Sequence, residues 1–371
     1  MGSFKVDPAA VAGLGQLVQR QSQGIAGYLT ALEHNALSDQ GDGFFELISN
    51  QLVYLRYYAH ANTRQALSLA GNSALQLRDT AAFYVATDNS VEARLDGTYR
   101  PVTSVDRERS SLPCEVTQSG FGDVHDVSGY QPPTSVDLEQ DLGWPVDLEE
   151  RLDALGDLVS TGAKIGMLLE TVTHWNPFER AALLVSGDWN AIHREGLIIA
   201  DTGKAFDHIA TNIDRGRFNI QSAWDGNAAA AAENWLDEYA RACREHATYC
   251  REAAEKIRNL AEAVYHRAKS LETALGTLVD LVGELISLKK INSIRATIAA
   301  AVDEALDFAT GTGDFKDLLK AVKVWAGEAT ALTDLIFATA HEFSGIVAAA
   351  KGQGEVVAAR WPCAPYDHPG V

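Results

Sequence analysis

The cysteines and histidine that stand closest together in this 371-residue chain are Cys243, His246 and Cys250. On a helix the two cysteines are two turns apart, ~10 Å along the axis, too far to bond to each other within it. They read as core residues, and His246 reads as a packed or half-exposed histidine rather than a ligand. Four cysteines in all are too few and too scattered for a disulfide framework or a Cys-pair zinc site. Other short stretches come near a chemical motif and miss it. Asp201-Thr202-Gly203-Lys204 is followed by Ala205 where a phosphate loop needs a hydroxyl, and no Lys-Ser or Lys-Thr follows Gly311-Thr312-Gly313-Asp314. Asp39-Gln40-Gly41-Asp42-Gly43 lacks the oxygen ligands and closing Glu of a calcium loop, and His341-Glu342 lacks the second His of a zinc protease helix. No Gly-x-Ser-x-Gly elbow is present. Catalysis needs ionisable groups converging in a closed site. These residues point away from an enzyme, and they call for no cofactor and no metal.

The elements that would position any site follow from composition and proline placement. Apolar residues make up 46% of the chain and charged ones 22%, enough to bury real cores. Fifty acidic side chains against 31 basic ones give a net charge of −19, the wrong sign for a nucleic-acid backbone or an anionic membrane. The first 30 residues, beginning Met1 to Pro8, lack the charged-then-apolar layout of a signal peptide. The most apolar window, Leu271 to Leu288, is cut by Glu272, Asp280 and Glu284, so it does not read as a membrane span. Five of the ten prolines cluster between Pro101 and Pro145, and none lies between Pro177 and Pro362. Because proline breaks helix interiors, this layout predicts an all-α fold, an elongated bundle of long antiparallel helices.

Within it, Asp7-Pro8 caps a first helix that runs to about His34, and Ser38 to Gly43 makes a turn. A second helix carries small or apolar residues at Ile48, Leu52, Leu55, Ala59, Ala66, Ala70, Ala74, Leu77, Ala81 and Tyr84, one continuous stripe. We divide the chain into a hairpin at 1–89, a Pro/Gly/acidic linker at 90–146, a second helical hairpin at 147–271, a helical extension at 272–352 and a tail at 353–371. The acids from Asp137 to Asp157 read as a solvated helix start. Asp188 is placed to cap a long helix that runs towards Phe218.

At the bend of the second hairpin stands Trp224-Asp225-Gly226. Glycine lets the backbone turn tightly, and a Trp at the same turn can lie across both helices. After it, Trp235, Tyr239, Ala242, His246, Tyr249, Ala253, Ile257, Leu260 and Val264 form another stripe. The first hairpin ends in Tyr84-Val85-Ala86-Thr87-Asp88, where the four-residue step puts Tyr84 and Asp88 on one helix face.

In this context the segment from Asn176 to Ala268 resembles the WXG superfamily of type VII (ESX) secretion substrates. Asn176-Pro177-Phe178-Glu179 and Gly187-Asp188-Trp189 are similar to the lead-in of many members, and Tyr84-x-x-x-Asp88 fits the family's export signal. With the opening Phe4 to Ala10, the whole resembles single-chain fusions of a PE-like hairpin and a PPE-like helical domain, of the EspB type. The chain has no Pro-Glu or Pro-Pro-Glu start, its linker is long, and the region after the hairpin is extended.

The resemblance implies that the chain folds in the cytoplasm and is exported to the cell surface or medium, with Trp224, Gly226, Tyr84 and Asp88 in one composite signal. The implied partners are a secretion ATPase, a dedicated chaperone and further copies of the chain. Export would also bring Cys114 and Cys363, the only loop cysteines, to where they could oxidise. Two other readings stay open: an intracellular scaffold or chaperone-like partner, and an enzymatic effector whose catalytic residues are not contiguous. Trp224 and Tyr84 also serve as plain core residues in either case.

Overall fold

The computed structural model describes residues 5–34, 44–87, 118–128, 189–287 and 355–368, with single helical positions between 320 and 352. Its backbone is an all-α bundle of long helices packed on one another. The elements are β1 (Lys5–Val6), α1 (Pro8–His34), α2 (Phe44–Ala86), a 3-10 turn at Gln118–Phe121, α3 (Trp189–Ile220), β2 (Trp224–Asp225) and α4 (Asn227–Ser287). At 1.5 Å per residue, α4 alone extends for about 90 Å.

Local chemistry sets the helix ends. The Asp7 carboxylate accepts the Ala9 amide at 2.9 Å and its carbonyl accepts those of Ala10 and Val11, while Pro8 occupies the first helical position, where its missing N–H costs nothing. Helix α4 follows Gly226, whose φ of 120° is a conformation that a β-carbon resists. Helix α3 begins one residue after Asp188, which lies outside the described residues.

Packing follows the apolar stripes. Leu52, Leu55, Ala59, Ala66, Ala70, Ala74, Leu77, Ala81 and Tyr84 are all buried, as are Trp235, Tyr239, Ala242, His246, Tyr249, Ala253, Ile257 and Leu260. Helices α1 and α2 form one packed pair and α3 and α4 another, with α1 lying on α3 and α2 on α4. At Gly216 of α3 an added β-carbon would stand 3.1 Å from Leu14 and 3.3 Å from Leu17, so the absent side chain is what lets α1 sit this close. Arg217 to Asp237 and Arg244 to Asp214 pair across the rim of the α3–α4 hairpin.

Helix α4 runs unbroken from Asn227 to Ser287, across positions 271 and 272. Part of the linker is docked: Arg20 and Gln21 of α1 both reach the Asp123 carboxylate at 2.8 Å, and Phe121 and Val127 are buried. Asn212 of α3 completes the dock, its amide oxygen accepting the backbone amides of Val124 and His125 and its amide nitrogen donating to the Gln21 side chain and the His125 carbonyl. That hydrogen-bond set carries no periodic signature, since it depends on three separate stretches of chain.

Candidate functional site

The Trp224 bend forms from local and distant parts together. Ala223 N–H donates to the Ile220 carbonyl at 2.9 Å, closing the turn after α3. The chain then meets the N-terminus, which adds β1 antiparallel to β2 with Lys5 opposite Asp225 and Val6 opposite Trp224. Asp7 N–H donates to the Ala223 carbonyl at 2.8 Å, and Lys5 Nζ donates to the Ser222 carbonyl at 2.7 Å. The first residues of the chain therefore tie the bend of the second hairpin to the start of α1.

Trp224 is wholly buried. Its ring meets Tyr84 edge-on, with centroids 6.1 Å apart and planes at 77°. Tyr84, at the last turn of α2, is 5% exposed. Two residues 140 positions apart in sequence thus share one aromatic cluster. Gly226 completes the bend, with its N–H held by the Asp225 carboxylate at 3.0 Å. Asp88, the fourth predicted signal residue, lies outside the described residues, as do the 38–43 turn, the acidic run, Cys114 and the lead-in before Gly187.

Residues 353–371, a short tail by their sequence, bring further side chains to this cluster. Residues 361–368 lie along α2 and α4 and cover the cluster. Trp361 is 3% exposed; its indole donates to the Asn62 amide oxygen at 3.1 Å and its ring packs on Tyr239 at 5.5 Å. Trp235 of α4 donates to the Ala364 carbonyl at 2.9 Å, and the Tyr366 amide donates to Ser73 Oγ at 2.8 Å. The Tyr366 ring stands perpendicular to Trp224 at 6.4 Å, and His368 Nε2 lies 3.1 Å from the Tyr84 hydroxyl. The available signal was the density of aromatics, Trp361, Tyr366 and His368 within eight residues, in a stretch whose prolines suggested a loose end.

Farther along the bundle, His246 is fully buried under Phe206 and Trp361, its Nε2 3.0 Å from Thr63 Oγ1. Burial drops its pKa to about 3, so the ring is neutral. Burial likewise pushes the Cys243 and Cys250 thiols well up, which keeps them protonated and removes them as thiolate nucleophiles. Cys363 is exposed. Glu195 of α3 is 1% exposed, and burial raises its pKa to about 7 against the opposing pull of Arg56, whose Nε lies 3.4 Å away. Among the described residues, no three His, Cys, Asp or Glu side chains gather as metal ligands, and no helix is long and apolar enough to cross a membrane. The Trp224 cluster is a buried group of aromatic rings joined by edge-on contacts and a few hydrogen bonds.

Comparison with known proteins adds nothing to these features: no family model, no curated protein and no solved structure matches the chain.

Proposed function

We propose that the chain is a substrate of a type VII (ESX-like) secretion system, exported folded, with a structural or interaction role outside the cytoplasm. In this reading α1–α2 is a PE-like hairpin packed on a WXG/PPE-like hairpin, α3–α4, as in single-chain fusions of the EspB type. The observation that carries the reading is the 6.1 Å approach of Tyr84 to Trp224. A composite signal needs its two halves in one place, and neither half has a local reason to be near the other. A secretion ATPase, with or without a chaperone, is the partner such a signal would meet, and further copies of the chain are the partners the long helices would meet outside.

The test is a secretion assay in an actinobacterium with an intact type VII system, comparing the parent with Trp224→Ala, Tyr84→Ala and Tyr84→Phe. Because both rings are buried, each variant is first checked for native helicity and melting. Export of the parent, with folded Trp224→Ala and Tyr84→Ala retained inside, is the expected result. Retention of all four, or equal export of all four, would move the intracellular scaffold to the front.

A further inference from the structure

The C-terminal segment poses a problem for any partner that reads Tyr84 and Trp224, because that pair lies beneath it. Among the described residues, α2, β1 and residues 361–368 each place a neighbour against the pair. Helix α2 carries Tyr84 itself, and β1 runs directly into the capped, buried start of α1, so neither can leave without opening the bundle. Residues 361–368 are different in kind. They are not helical and include two prolines that bring no backbone donor. Their contacts with α2 follow in order, Trp361 to Asn62, Tyr366 to Ser73 and His368 to Tyr84, so the segment lies along α2 and points towards the bend. A stretch without a helical hydrogen-bond ladder opens locally at lower free energy than the helices beneath it.

The pair also keeps an unmet need. The Trp224 indole N–H is buried with no hydrogen-bond partner among the described residues. Tyr366 gives that ring an edge-on neighbour but no acceptor. An incoming segment that placed a carbonyl or carboxylate oxygen there would make a bond that the resident one does not.

We propose that residues 361–368 are a displaceable clasp filling a peptide-binding groove along α2 and α4, and that a partner reaches Tyr84 and Trp224 by laying its own extended, aromatic-bearing segment in that groove. The ligand class is a short extended peptide with an indole for the Trp361 slot and a hydrogen-bonding ring near Tyr84. That the displacing partner belongs to a secretion machine rests on the export reading; the groove does not.

The test uses the full chain and a labelled synthetic peptide of residues 355–371. In the parent the groove is filled, and in full-length Trp361→Ala the slot is empty. The peptide is expected to bind the variant at least tenfold more tightly than the parent, and a peptide carrying the same Trp361→Ala change to lose that gain. Equal binding to parent and folded variant overturns the proposal. Should Trp361→Ala lose its helicity, full-length Tyr366→Ala/His368→Ala replaces it. Hydrogen exchange on the unaltered parent gives an independent answer: the Tyr366 amide is expected to exchange at least tenfold faster than core amides of α3 and α4, and exchange only with the core overturns the clasp. Neither readout involves secretion. Peptide binding together with unimpaired export of Trp224→Ala would sink the export reading and leave the groove standing.

Discussion

Glu195 and His246 are buried on opposite sides of their usual titration ranges, and they pull stability in opposite directions with pH. A raised carboxylate pKa means the folded chain holds a proton that the unfolded chain has released, so stability falls as pH rises from about 4.5 through 7. Replacing Glu195 by Gln keeps the shape and removes the charge, while Arg56 retains its bonds to the Leu32 and Glu33 carbonyls. The expected gain at pH 8 is about 1–3 kcal/mol, vanishing near pH 4.5, measured by urea unfolding at both values. No gain at pH 8 would show that the Arg56 pair outweighs the burial of the carboxylate. For His246 the folded pKa is depressed, so its contribution is intact above about 6.5 and is lost as pH falls towards 3. The loss is on the order of 4 kcal/mol over that window. His246→Gln should flatten the acid limb of the stability curve, and an unchanged limb would place the acid sensitivity elsewhere.

Among the elements, the bend between α3 and α4 bears the most specific backbone demand. Gly226 sits at φ 120°, and beside it Trp224 pairs with Val6 through β1 and β2. Gly226→Ala forces a strained conformation or shifts the bend, at a cost of about 1–3 kcal/mol. The expected signature is a lower urea midpoint together with faster amide exchange at Asp7, whose N–H is bonded across the bend to Ala223. A midpoint within error of the parent would mean that the bend adapts without strain. The α1–α2 pair was legible because its stripes repeat every three or four residues. The docked 118–128 stretch was not, because Asn212, Gln21 and Asp123 meet only after folding.

On the scale of the whole molecule, Trp361 joins parts of the chain that sequence keeps far apart. It bonds to Asn62 of α2 and packs on Phe206 of α3 and on Tyr239 and His246 of α4. Trp361→Ala should cost about 3–5 kcal/mol in urea unfolding, as for other buried aromatic deletions. A loss below about 1 kcal/mol would mean that the tail adds little to the core and only covers it. The export assay belongs to this scale too, since a folded substrate must present both hairpins at once.

Helical content, the cap at Asp7, the tight turn at Gly226, the buried stripes of α2 and α4 and the bend at Trp224 all followed from residue types and their spacing. Each is governed by neighbours within a turn or two, where helix periodicity is a direct physical constraint. The meeting of Tyr84 with Trp224, the pairing of Lys5 and Val6 with the bend, and the return of Trp361, Tyr366 and His368 over both hairpins arose only with three-dimensional packing. Those contacts join residues more than a hundred positions apart, and no local pattern encodes which buried ring will face which. The tail illustrates the difference most clearly: its prolines read as a loose end, yet its three rings are buried against α2, α3 and α4.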